Sequence, residues 1–392
     1  MKIKKIVKGL AKGFLFVISI IMLIISLGVL GKDEWVITQI ATIFYPNVYS
    51  MIFLATLFIL GIYIYKLSKT KWNIKILSKT SIAILLMAVI SFTSVGLEFF
   101  NYRQSVRANG ADLNILSSFK AIGKFGIPDE KVIYATKEGE DLSISIYKPG
   151  NTSNENLRPV YVYVHGGGWS SSNSESNANY HQMMKEEGYV SFSVNYRLAK
   201  KGRPTWDKQI EDVNDAMKWI YDNAKKYGGD PERIFLSGES AGGNLALVYG
   251  GRVSEGSLDG PLPKALTVIY PAIDMKWTSV NARFMTPFVL PGIVETYIGG
   301  SLDDFPDRVK AIDPRTYINK NLPPTLIIHG KKDTMVTIDG SRDYIKKVDA
   351  LGVRNQLAEI PYSNHGTSAK VNFDITMNFL KDIPGMKIEH SK

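Results

Sequence analysis

The sequence predicts an α/β domain built on a mostly parallel sheet, carried behind three membrane-crossing helices. Three observations predict it. Three apolar runs of bilayer length occupy the first hundred residues. Beyond about Glu130, β-branched and aromatic runs alternate with helical periods. Two glycine-rich turns, His165-Gly166-Gly167-Gly168-Trp169 and Gly238-Glu239-Ser240-Ala241-Gly242-Gly243, each follow a strand-like run.

The apolar runs cover residues 14–30, about 48–65 and about 81–100, the last ending near Glu98 at the predicted membrane interface. A helix needs about 20 residues to cross some 30 Å of hydrocarbon, and each run approaches that length. Trp35, Tyr45, Tyr63, Tyr65 and Trp72 fall near the predicted ends, as an interfacial aromatic belt requires. Lys2, Lys4, Lys5, Lys8 and Lys12 precede the first run, and Lys66, Lys69, Lys71, Lys75 and Lys79 fill the second connection. The first connection holds only Lys32, beside Asp33 and Glu34. The positive-inside rule then places the N-terminus and the loop 66–80 in the cytoplasm, and everything from about Asn101 onward outside the cell. Two other readings stay open on sequence alone. One is a cleaved signal peptide followed by two spans, although no clear small-x-small cleavage site follows the first run. The other is a set of buried helices in a soluble domain, against which the lysine-rich flanks argue. Residues 112–127 carry apolar side chains at helical spacing (Leu113, Leu116, Phe119, Ile122) and suit a short amphipathic helix, either packed on the domain or covering its site.

The net charge of +10 invites a nucleic-acid reading, but its distribution excludes one. Residues 1–100 hold 11 Lys and 3 Asp/Glu, leaving 36 basic and 34 acidic side chains in the other 292 residues. The basicity belongs to the membrane part. The chain has no cysteine, which excludes disulfides, thiolate metal sites and a cysteine nucleophile.

In the outer domain, 132–135 and 142–147 read as an opening pair of strands. Further strands are predicted at 160–164, 189–195, 233–236, 265–270, 325–328 and 357–360. Helices are predicted at 206–227, 241–249, 339–351 and 371–380. Alternation of this kind implies a parallel sheet covered on both faces. Residues 275–321 read as irregular and rich in Pro and Gly, a candidate lid or pocket wall. The expected domains are an anchor (1–100), a juxtamembrane or cap segment (101–129), a catalytic domain (130–385) and a short tail (386–392).

The turn around Ser240 has the G-x-S-x-G form that lifts a serine off a strand end, so Ser240 is the candidate nucleophile. A serine hydroxyl needs a base to take its proton as it attacks. Five histidines are available. His390 lies in the tail, His181 in a polar helix start where solvation is expected, His329 at a strand end too early in the chain, and His165 in the glycine loop. His365, in the loop after the last strand, is the candidate base. Asp333, in a turn after the strand ending near Ile328, is the candidate acid that orients the imidazole, with Asp339 and Asp343 as competitors. The oxyanion donors are expected from the N–H groups of Gly167, Gly168 and Ala241. Trp169 and Glu239 read as supports.

These stretches resemble the α/β-hydrolase esterases related to hormone-sensitive lipase and to feruloyl-esterase-like bacterial enzymes. The resemblance rests on the two glycine turns, on His329-Gly330-Lys331-Lys332-Asp333 and on the His365 loop. Linking stretches agree: Asn195-Tyr196-Arg197-Leu198, Gln209-Ile210-Glu211-Asp212 and Gly229-Asp230-Pro231-Glu232-Arg233-Ile234. The likeness covers about residues 130–385 and implies an α/β-hydrolase fold, the chain order Ser240…Asp333…His365, and hydrolysis of carboxylic esters with small acyl groups, without metal or cofactor. A three-span anchor is outside the usual pattern of that group. The expected partners are an envelope or small-molecule ester and the lipid bilayer, with no nucleic acid. An acyltransferase or peptidase using the same triad, and a non-enzymatic surface protein on the same fold, remain as alternatives.

Overall fold

A computed structural model describes residues 2–115, 126–150, 156–283 and 286–386. Helix α1 (Lys2–Gly28), α2 (Val36–Ser68) and α3 (Lys79–Ala108) come first, and all three are long and apolar enough to cross a membrane. The amphipathic stretch expected over 112–127 falls mostly outside the described residues.

The three helices pack inside out. Their buried positions include Ser19, Ser26, Thr38, Gln39, Thr42, Ser50, Thr56, Ser91 and Ser94, whereas Ile6, Phe14, Phe44, Phe58, Leu86 and Leu97 are exposed. Water would favour the reverse. Glu98, expected at the interface, is buried and accepts from Ser94 Oγ at 2.6 Å. At 33 residues α2 is roughly 50 Å long, well beyond the 30 Å of hydrocarbon. The apolar run found in the sequence starts about twelve residues after the helix does. Thr38, Gln39, Thr42 and Tyr45 dilute the first turns with polar groups, and all four are buried.

The second part alternates as expected: β1 (Glu130–Lys137), β2 (Glu140–Tyr147), β3 (Arg158–Val164), α4 (Ala178–Glu187), β4 (Val190–Val194), α5 (Lys208–Asn223), β5 (Gly229–Glu239) and α6 (Ala241–Ser254). It continues with β6 (Ala265–Ile269), α7 (Met275–Asn281), α8 (Thr286–Ile298), α9 (Pro306–Ile312), β7 (Thr325–Gly330), α10 (Asp339–Asp349), β8 (Asn355–Ile360) and α11 (Ala369–Leu380). The eight strands form one sheet in the order β1-β2-β4-β3-β5-β6-β7-β8. The β1–β2 and β2–β4 pairs are antiparallel and the rest are parallel. Glu138 and Gly139, both at positive φ (51° and 79°), turn β1 into β2.

Alternate side chains of the central strands feed two cores. Val160, Val162 and Val164 of β3 pack with Leu236, Met217, Ile220 and Leu245. Tyr161 and Tyr163 face the other way, toward Tyr180, Met184, Leu326 and Phe379, in a core that runs on to Tyr45, Tyr49, Tyr102 and Val106 of the apolar helices.

Two expectations are corrected. His181 is not solvated: it is buried, stacks on Tyr147 with ring centroids 4.7 Å apart, and bonds Ser191 Oγ through Nδ1 at 2.7 Å. Burial pushes its pKa down to about 3. Residues 275–321 are not irregular throughout, since their described residues include α7, α8 and α9. Asp274 caps α7 by accepting from Trp277 N at 3.0 Å, and Pro306 opens α9 where no N–H is needed.

Candidate active site

The parallel register carries the C-terminal ends of β3, β5, β7 and β8 to one end of the sheet, and Gly167, Gly168, Ser240, Ala241, Asp333 and His365 all follow those ends. Ser240 joins β5 to α6 with φ 52° and ψ −120°, a conformation that L-residues reach only under strain. Ser240 N–H donates to Ile269 O at 3.0 Å, and its carbonyl accepts from Ala272 and Asn244 N–H at 3.1 and 3.0 Å. The flanking glycines are required sterically. A Cβ on Gly238 would lie 2.4 Å from Gly242 O, and one on Gly242 would lie 2.1 Å from Val164 O.

His365 Nε2 sits 2.9 Å from Ser240 Oγ, and His365 Nδ1 sits 2.8 Å from Asp333 Oδ2. Asp333 is held on both oxygens. Oδ1 accepts from the N–H groups of Met335 and Val336, each at 2.9 Å. Oδ2 also faces His329 Nε2 at 3.2 Å. His329 Nε2 has Val336 O at 2.9 Å as a second acceptor, while its Nδ1 meets Ser341 Oγ at 2.8 Å. Two acceptors at Nε2 require a proton on that nitrogen. Burial alone would raise the Asp333 carboxyl, but the His365 charge and the hydrogen bonds from His329 and His365 hold it well below the usual range. Burial works against a charged His365, and the Asp333 carboxylate overcomes it, so the imidazole pKa is raised. The competing acids are elsewhere. Asp343 pairs with Arg315 and Lys347, each at 2.8 Å, and Asp339 is exposed beside Arg342.

The glycine loop closes the site from β3. Gly167 and Gly168 have φ of 110° and 58°, and among the described residues their N–H groups meet no backbone acceptor. Ala241 is the first residue of α6, where the N–H has no intrahelical partner. All three line one cavity of ≈ 320 Å³ with Ser240 and His365, walled by Met275, Leu290, Ile293, Met335 and Val336. A larger, more open groove of ≈ 470 Å³ beside Lys218 and Tyr221 contains none of these groups.

The linking stretches hold this loop. Trp169, at φ 59°, stacks on Tyr297 with centroids 4.4 Å apart. Its carbonyl accepts from Ala199 N and Gln209 Nε2 at 2.9 and 2.8 Å. Arg197 and Asp212 form a buried pair at 2.7 Å, and Tyr196 OH donates to His165 O at 2.9 Å. His165 itself is buried against Tyr196, and burial takes its pKa down to about 4, so it is a neutral strut. Glu239 Oε2 accepts from Asn177 and from Tyr270 OH at 3.0 and 2.9 Å. The Tyr270 ring lies 4.6 Å from that of His365. Tyr270 borders the His365 side chain and His329 borders that of Asp333. His329 had a signal, four residues before Asp333, whereas Tyr270 had none.

Residues 144–348 match the family model BD-FAE, more than half of the 392-residue chain. The chain belongs to the BD-FAE family. It is 30% identical over 232 residues to the esterase LipQ of Mycobacterium tuberculosis, covering 58% of this chain and 54% of LipQ. It is 28% identical over 247 residues to the carboxylesterase NlhH of the same organism, covering 60% and 73%. It is 38% identical over 150 residues to arylacetamide deacetylase of Bos taurus, covering 37% of each. The chain spans about half the length of the first curated relatives it matches. The apo form of Thermogutta terrifontis esterase 2 superposes with a TM-score of 0.54 at 23% identity, covering 67% of this chain and 96% of that one. This BD-FAE member thus has the α/β-hydrolase fold, preceded by three long apolar helices.

Proposed function

We propose that this BD-FAE protein is a serine hydrolase of carboxylic esters, anchored by residues 1–100, with its catalytic domain (130–385) outside the cell. One observation carries the reading: the relay from Ser240 Oγ through His365 to Asp333, at 2.9 and 2.8 Å, opening on the 320 Å³ cavity. Ser240 attacks the ester carbonyl while His365 Nε2 takes its proton. Gly167, Gly168 and Ala241 N–H groups hold the oxyanion. His365 returns the proton to the leaving alcohol, and water, activated by the same imidazole, then releases the acid and restores Ser240. Asp333 keeps Nδ1 protonated throughout. The relatives named esterase and carboxylesterase support the same class.

Membrane placement is supported by the inside-out packing of α1–α3 and by the lysine asymmetry. The substrate in this reading is an envelope ester, either an O-acetylated glycan or a short-chain lipid ester. Exposed apolar side chains on the pocket-wall helices (Trp277, Val280, Phe288, Val289), with Arg283 3.7 Å from Glu34 of the first hairpin, favour the lipid ester.

Intact cells treated with a membrane-impermeant fluorophosphonate test both halves. Ser240-dependent labelling is the expected result. Labelling only after lysis would overturn the topology, and none in a folded protein would overturn the hydrolase. Release of free acid into water, rather than transfer to an added alcohol, separates hydrolase from acyltransferase.

A further inference from the structure

One buried side chain ties both catalytic loops to the apolar helices. Asn364, immediately before His365, is 3% exposed. Its amide oxygen accepts from His365 N at 2.7 Å, from Thr334 N at 3.0 Å and from Thr334 Oγ1 at 3.0 Å. Thr334 directly follows Asp333, so one oxygen fixes the loop of the base against the loop of the acid. The amide nitrogen points the other way, into α2. It donates to Thr42 Oγ1 at 3.2 Å and to Gln39 O at 3.4 Å. Two backbone N–H groups on one side and a carbonyl on the other fix which end is oxygen. Thr42 is fully buried and uses its own hydrogen on Gln39 O at 3.0 Å, leaving its lone pairs for Asn364.

The surroundings repeat the connection. Lys332, next to Asp333, reaches Gly31 O and Asp33 at 3.0 and 2.8 Å. Tyr362 packs edge-on against Tyr45 with centroids 5.9 Å apart and accepts from Asn101 at 3.1 Å. Ser105 donates to Glu359 O at 2.9 Å. A simple tether needs none of these contacts. The first turns of α2, the part surplus to a bilayer crossing, supply Gln39, Thr42 and Tyr45, while the loop before α2 supplies Gly31 and Asp33 and α3 supplies Asn101 and Ser105.

We propose that α2 is a working part of the active site: through Thr42 and Gln39 it positions Asn364, which holds the Asp333 and His365 loops in register. The proposal rests on reading Ser240, His365 and Asp333 as a triad. Thr42 and Asn364 are positioning residues and touch neither substrate nor serine. Without the α2 contact the amide nitrogen of Asn364 loses its anchor, and its oxygen alone is left to hold the Asp333 and His365 loops together.

The test uses the full chain in lipid nanodiscs, with Thr42→Val and Thr42→Ser. Valine keeps the shape and removes the acceptor, while serine keeps the acceptor. The readouts are kcat and KM on a short-acyl p-nitrophenyl ester, the pH profile, and amide hydrogen exchange in residues 330–336 and 361–366. Thr42→Val is expected to lower kcat roughly fivefold to tenfold, the low end of the cost of a buried donor left unpaired, with KM within about twofold. The acid limb should move to lower pH, because a loosened Asp333 no longer raises the imidazole as far. Exchange should rise in the two loops and not in α6, and Thr42→Ser should restore all three readouts. Wild-type kcat, pH limb and loop exchange in Thr42→Val would overturn the proposal. So would equal damage in both variants with exchange raised across the whole chain. If the wild type neither hydrolyses esters nor labels at Ser240, yet Thr42→Val still raises loop exchange, the coupling stands and the triad reading falls. If exchange is also unmoved, both fall.

Discussion

Replacing Asp333 by Asn tests the relay through the tautomer of His365. The substitution is isosteric, and the structure dictates how the amide must sit. The Oδ1 position receives two backbone N–H donors, from Met335 and Val336 at 2.9 Å each. An amide NH2 there would face both donors, so the amide oxygen must take that position. The NH2 is then forced to Oδ2, opposite His365 Nδ1 at 2.8 Å. An NH2 can only donate, so Nδ1 must become the acceptor and the proton must move to Nε2. Nε2 is the atom 2.9 Å from Ser240 Oγ, and once protonated it cannot take the serine proton. His329 is spared, because its Nε2–H keeps Val336 O at 2.9 Å. The fold should therefore survive while kcat falls about ten-thousand-fold, or some 5 kcal/mol of transition-state stabilisation. The assay is kcat of the full chain on a short-acyl p-nitrophenyl ester, with thermal unfolding as the control for folding. A loss of tenfold or less would refute the tautomer argument and require another acid. Equal loss of the fold would show that Asp333 is structural first.

Other outcomes follow from the same geometry. Ser240→Ala should cost on the order of a million-fold in kcat and abolish fluorophosphonate labelling, with the residual rate read against the uncatalysed ester. Because Asp333 raises the His365 pKa from its ordinary 6.5, the acid limb of kcat/KM should have its midpoint above 6.5. Activity is lost as pH falls through that midpoint, since the imidazolium cannot accept the Ser240 proton, and a midpoint at or below 6.5 would contradict the assigned pair. Gly242→Ala places a Cβ 2.1 Å from Val164 O and should destabilise the chain by roughly 3 kcal/mol, whereas Gly150→Ala, with open space around it, should leave the thermal midpoint unchanged.

What the sequence disclosed and what it hid have one physical cause. Local chemistry is written locally. The Ser240 turn is legible because only glycine fits at Gly238 and Gly242, and the glycine loop because Gly167 and Gly168 take positive φ. The parallel strands β3, β6 and β7 read as largely apolar runs because both of their faces are covered. His181 was misread because its neighbours in sequence are polar, while its neighbours in space are Tyr147, Tyr161 and Tyr163. The pocket-wall helices were missed because Pro and Gly content masked the caps at Asp274 and Pro306. The start of α2 was missed for the opposite reason. Its polar residues weaken the apolar signal, yet they are the ones that face protein, and Thr42 and Gln39 meet Asn364 some 320 residues away. An apolar stripe with a polar seam reads as a poor membrane span and as a poor soluble helix. In the proposed arrangement one side of the helix meets lipid and the other meets the loop of His365, and the polar residues Gln39 and Thr42 at the start of α2 are where helix and loop meet.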